Sequence, residues 1–221
     1  MSTIWEGLSQ LPVRFGRSSG GIDGQTTDRS GALAGGSGVK GIIFNLVEEV
    51  VTDRYGENTW DALLDAARLD GSYSSLGRYA DEELLQLVTA ASAALGMPAG
   101  DIVRQLGEGA IPLLVDRYPG FFEEFTSAQD FLLTLNDIIH PEVRKLYPGA
   151  QVPDFDFDTP EHGVLVIGYR SPRRLCVLAE GFIIGAARHY GERVEVSQSR
   201  CLLRGDDQCR IRCAFRAADA A

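Results

Sequence analysis

Three groups of residues in this sequence could do chemistry. The first is His140, one of three histidines. It ends the apolar run Phe131, Leu132, Leu135, Ile138 and Ile139, and at helical spacing it shares a face with Leu133, Asn136, Val143 and Tyr147. An imidazole on such a face needs partners for its ring nitrogens. Either it is satisfied within a core or a helix cap, the commoner outcome, or it ligates a metal or a haem iron. Pro141 follows directly. Proline lacks the N–H of a helical hydrogen bond and disfavours α geometry in the residue before it. The pair therefore predicts a kink at His140, with Pro141 in the first turn of a new helical piece that runs through Tyr147. His162 falls in a polar loop and His189 at a helix end beside Arg188, so both read as solvated.

The second group is Tyr169-Arg170-Ser171-Pro172-Arg173-Arg174. In an extended segment Tyr169, Ser171 and Arg173 project to one side. They offer two hydroxyls and a guanidinium fork, a set suited to carboxylates or phosphate. The plainer alternative is a solvated edge. The third group is Cys176, Cys201, Cys209 and Cys213. Cys209 and Cys213 lie on one strand face, and Cys201 and Cys209 flank a predicted hairpin turn. Three or four converging thiolates would suit zinc. The spacing is not C-x-x-C, and buried, inert thiols are the alternative.

The elements that must position these groups change character along the chain. Ile42, Ile43, Leu46, Val47, Val50 and Val51 repeat at helical spacing, as do Trp60, Leu63, Leu64 and Ala67. Asp81 reads as the N-cap of a third helix that Gly96 closes. Two short helices are predicted at residues 98–106 and 111–116, and residues 148–156 are turn-rich. After that, 163–169, 193–198 and 208–215 read as strands around a helix at 175–190, with Arg204-Gly205-Asp206-Asp207 as a hairpin turn. The expected class is α+β: a helical N-terminal half packed on a small antiparallel sheet with its own helix. Residues 1–38 carry Gly/Ser-rich runs and balanced charge, and read as a flexible leader or a non-native extension ahead of a domain at 39–221.

A chain of 221 residues that is 44% hydrophobic and 24% charged has an ordinary globular composition. The net charge of −10 speaks against nucleic-acid binding and against an anionic membrane surface. No apolar run reaches the ~18 residues of a membrane span, and the N-terminus lacks a signal-peptide pattern. A cytoplasmic setting is expected, with thiols rather than disulfides.

Taken in order, the motifs resemble the haem-nitric oxide/oxygen binding (H-NOX) family, over residues 40–215. Lys40-Gly41-Ile42-Ile43-Phe44-Asn45 is similar to the family's opening. The stretch from His140 through Tyr147-Pro-Gly is similar to the one holding the family's iron-ligating histidine. Tyr169-x-Ser171-x-Arg173 matches the motif that binds the haem propionates, and Gly205-Asp206-Asp207-Gln208-Cys209 matches the family's tail. The resemblance implies haem b held between the helical half and the sheet, His140 as the axial ligand, Tyr169, Ser171 and Arg173 on the propionates, and Pro153 against the haem. It places Ile43, Val47, Ala110, Leu114, Leu178 and Phe182 on the gas side.

Oxygen-binding members carry a tyrosine nine residues after the motif tyrosine, where this chain has Leu178. None of the six gas-side residues has a side-chain donor. The implied ligand is nitric oxide, with carbon monoxide tolerated and oxygen excluded. The implied partner, acting in trans, is a histidine kinase or a cyclic-di-GMP enzyme. Signalling would run through loss of the iron–histidine bond. Some bacterial members bind zinc through three cysteines and a histidine. Cys176, Cys201 and Cys209 match the cysteines, Gln198 stands at the histidine, and Cys213 is a candidate substitute. The competing functions are a thiol or zinc redox sensor using these cysteines and, least supported, an enzyme, since no catalytic motif stands out.

Overall fold

The computed structural model describes residues 38–218; the expected leader lies outside them. The chain divides into two compact units, residues 1–97 and 98–221. The N-terminal unit contains helices α1 (Gly41–Tyr55), α2 (Glu57–Ala67) and α3 (Asp81–Leu95), and the short pair β1 (Val39–Lys40) and β2 (Arg78–Tyr79). Phe44 is fully buried, with Tyr73 stacked on it at 4.1 Å. Gly41 permits this packing, because a Cβ there would stand 1.9 Å from the Ser74 carbonyl oxygen. The cap of α3 is the extended residue Ala80, with Asp81 as the first helical residue. Asp81 thus favours the helix by placing a negative charge at its N-terminus, where the dipole attracts it.

The C-terminal unit holds α4 (Ala99–Arg117), α5 (Ala128–Leu133), α6 (His140–Leu146), α7 (Cys176–His189) and a four-stranded antiparallel sheet. Its strands are β3 (Asp154–Glu161), β4 (Val164–Arg170), β5 (Glu192–Arg200) and β6 (Cys209–Ala217), in spatial order β3-β4-β6-β5. The helices from α4 onward thus belong to the same unit as the sheet. Leu165, Ile167 and Tyr169 of β4, and Cys209, Ile211 and Cys213 of β6, point inward and join Ile183, Ala186 and Ala187 of α7 in one buried cluster. Among the alternate residues, Arg170 of β4 and Arg210 of β6 share the carboxylate of Asp156.

Three expectations are corrected. The predicted helices at 98–106 and 111–116 are one helix, α4, with Pro112 inside it. Strand β3 was hidden within and beyond a stretch read as turn, although Asp154, Phe155, Asp156, Phe157 and Asp158 alternate with period two. The third concerns the kink expected at His140, whose own backbone is α-helical (φ −66°, ψ −36°). The discontinuity lies just before it, as a π-helical turn over Leu135–Ile139. A proline ring clashes with the carbonyl four residues back. Widening the preceding turn relieves that clash without forcing the residue before proline out of the helix.

Candidate functional site

His140 is the first residue of α6, and its ring lies against Phe155 of β3, centroids 5.4 Å apart and planes inclined by 25°. The Nδ1 atom is buried and has no hydrogen-bond partner. Burial, aided by the Arg144 guanidinium and opposed by Asp154, pushes the imidazole down to about 4, so it is neutral. A neutral buried imidazole with an unserved nitrogen is costly in a core and suited to donate a lone pair to a metal. His162 and His189 are exposed, as expected. Leu133, Asn136, Val143 and Tyr147 are half-buried like His140, in keeping with the shared face.

Tyr169 is on β4, paired with Phe155 on one side and Cys209 on the other, and is 2% exposed. Ser171 and the backbone of Leu175 hydrogen-bond to its phenol. The segment does not continue as a strand. The Arg173 N–H donates to Ser171 Oγ at 3.3 Å, the Arg174 N–H donates to the Ser171 carbonyl at 3.2 Å, and Arg174 takes φ +52°. A tight turn, rather than strand alternation, therefore gathers Tyr169, Ser171 and Arg173. Pro153 is half-buried immediately ahead of β3.

Of the expected gas-side residues, Ile43 and Val47 lie one turn apart on α1 in the N-terminal unit. Ala110 and Leu114 lie on α4, and Leu178 and Phe182 on α7, in the C-terminal unit. The two later helices cross backbone to backbone. A Cβ on Gly107 would stand 2.5 Å from the Leu178 carbonyl oxygen and 3.0 Å from the Phe182 nitrogen. One on Gly181 would stand 2.1 Å from the Arg104 carbonyl oxygen. The sequence shows Gly181 and Gly185 four apart in the helix at 175–190, but neither their facing helix nor Gly107 is read from it.

The Sγ atoms of Cys176, Cys201 and Cys209 all lie within 4.8 Å of one another, and all three residues are buried. Burial raises the Cys176 and Cys209 thiols, while the Leu202 N–H donates to Cys209 Sγ at 3.3 Å. Cys213 is not in this trio; it sits farther along β6, buried opposite Leu165 and Val196. The Gln198 amide is held by Glu180, which also receives Arg104 Nε at 3.1 Å. The proposed substitution of Cys213 for the missing histidine is therefore not what the structure presents.

The sequence profile of the family described as Haem-NO-binding matches residues 40–198. The chain belongs to this family, the H-NOX proteins. An H-NOX protein from S. oneidensis in the Fe(II)NO ligation state is 32% identical, with a TM-score of 0.75, over 80% of this chain and 99% of that one. The S. oneidensis H-NOX domain in the Fe(II)CO state matches at 32% identity, TM-score 0.73, over 80% and 99%. The Fe(II) unliganded H-NOX protein from K. algicida matches at 25%, TM-score 0.72, over 83% and 100%. H-NOX domains are haem-based gas sensors. The α+β architecture agrees with theirs. In this member, the unserved buried Nδ1 of His140 and the Tyr169–Arg173 turn fit the group the family binds. No helix among the described residues is long and apolar enough to cross a membrane.

Proposed function

We propose that this chain is a haem b nitric oxide sensor that regulates a signalling protein in trans, with no catalysis of its own. The observation that best supports this is His140, a buried, neutral imidazole with Nδ1 unpartnered, in the stretch where the resemblance places the axial ligand. When bound, the haem would supply an iron that can take up a diatomic gas.

The chain's own residues do the rest. His140 gives its lone pair without first losing a proton. Arg173 supplies a charge-assisted fork, and Tyr169 and Ser171 supply hydroxyls, for the carboxylates. Pro153 would pack beside the group. None of Ile43, Val47, Ala110, Leu114, Leu178 and Phe182 carries a side-chain donor, a set that would suit nitric oxide, which needs none, tolerate carbon monoxide and leave dioxygen without support. Helix α6 begins at His140, so a change in how His140 is held would pass to that helix, and a histidine kinase or cyclic-di-GMP enzyme in the cytoplasm would read it. A gas can act only through such a difference between two states.

The test is His140→Gly. The variant should retain little haem and regain it when imidazole is added. Unchanged iron ligation without imidazole would refute the assignment.

One observation favours a second reading. The convergence of three buried thiols at Cys176, Cys201 and Cys209 supports thiol redox sensing or zinc binding at that place. Zinc content and thiol titration of purified protein test it.

A further inference from the structure

Resting on the haem reading of His140, we propose that Asn136 is a positioning residue for that ligand: its amide pins the π turn carrying His140 to strand β3. Three observations carry this. First, the backbone ladder of the turn is interrupted at its C-terminal end. The N–H groups of Ile138 and Ile139 both donate to the Thr134 carbonyl, at 2.9 and 3.2 Å, and the His140 N–H reaches back to Leu135. Pro141 has no N–H to offer the carbonyls of Asp137 or Asn136, four and five residues back. Second, a side chain supplies the missing restraint. Asn136 Nδ2 donates to the Phe155 carbonyl oxygen at 2.8 Å. Third, the acceptor belongs to the residue whose ring faces His140. One hydrogen bond therefore sets the separation of turn and strand, and with it the seat of the imidazole.

The π turn makes this seat sensitive. It holds one residue more than an α turn, and one residue is about 100° of helical phase. If the turn relaxed to α geometry, His140 would swing around the helix by that amount and leave Phe155. Asn136 opposes the swing at the start of the segment. At its far end the Tyr147 phenol is hydrogen-bonded to Tyr118, which ends α4. The iron ligand thus sits between two side-chain anchors, and the Asn136 anchor is the nearer one.

The experiment uses the full chain with Asn136→Asp, which keeps the shape and replaces the donor by an acceptor facing a carbonyl, and Asn136→Ala as a charge-free second variant. Three quantities are read: amide hydrogen exchange at Ile138–His140 in haem-free protein, the iron–histidine stretching band of the unliganded ferrous protein, and the rate at which nitric oxide displaces His140. A net hydrogen bond of the usual strength predicts that exchange and displacement accelerate about three- to tenfold in both variants, with a shifted stretching band.

Exchange that accelerates while the band and displacement rate stay unchanged would show a merely structural role and overturn the inference. So would unchanged values throughout. Should Asn136→Asp fail to fold, by circular dichroism, the same readouts on Asn136→Ala decide. Failure of the haem reading is separable: it shows as unchanged iron ligation in His140→Gly, whereas the exchange arm needs no haem.

Discussion

The crossing of α4 and α7 makes a sharp prediction about Gly181. Replacing it by alanine adds one methyl group. Elsewhere in a helix that change stabilises by roughly 1 kcal/mol, through lower chain entropy. At this position the added Cβ would stand 2.1 Å from the Arg104 carbonyl oxygen and 2.9 Å from both the Glu108 nitrogen and the Gly107 Cα. All three are backbone atoms of the facing helix, so no rotamer change relieves the clash. An ordinary contact begins near 3.4 Å, so the helices must part by more than an ångström beside Leu178 and Phe182. Overpacking of this kind typically costs about 1–3 kcal/mol, and backbone against backbone belongs at the upper end. Net destabilisation of about 1–2 kcal/mol should lower Tm by roughly 2–8 °C. Separated helices should also open the gas-side wall and hasten haem loss. Gly100→Ala is the control, because a Cβ there meets nothing within 4 Å; it should raise Tm slightly. Thermal melts of the haem-free proteins, together with haem transfer to an excess acceptor, measure both effects. If Gly181→Ala behaves like Gly100→Ala, the reasoning about the crossing is wrong.

Arg173→Ala should lower haem occupancy with the fold intact, since loss of a charge-assisted partner costs about 1.5–3 kcal/mol; unchanged haem dissociation kinetics would count against it. The ferrous protein should bind nitric oxide and carbon monoxide and form no stable oxygen complex under air, as read from absorption spectra. A stable oxygen complex would reveal a donor near the iron other than the six apolar residues. Burial pushes the Cys213 thiol up to about 12, so at pH 8 it is protonated and should resist alkylation in the folded protein, reacting only on unfolding. Rapid labelling of Cys213 at that pH, located by peptide mass, would contradict its burial.

Much of this protein was legible in the chain. Apolar patterning with cap and turn residues located α1, α2, α3 and α7 and three of the four long strands, because buried positions recur with the period of the backbone. The order of His140, Tyr169-x-Ser171-x-Arg173 and the Gly205–Cys209 tail marked the family, since such a motif order is written along the chain itself.

What the chain did not show is set by contacts between distant segments. Residues 98–106 and 111–116 read as two helices, yet α4 runs through both and through Pro112, because packing on α7 outweighs a local preference. The proline after His140 predicted a kink at that residue, and the irregularity lies instead in a wider turn one step earlier. Tyr169, Ser171 and Arg173 were expected to align by strand alternation; a turn that includes a left-handed Arg174 gathers them. Strand β3 lay in a segment rich in turn residues and became a strand by pairing with β4. The partners of Gly107, Gly181 and Asn136 lie 19 to more than 70 residues away. A glycine or an asparagine has no pattern of its own that names a distant backbone atom, so only the folded chain assigns them their roles.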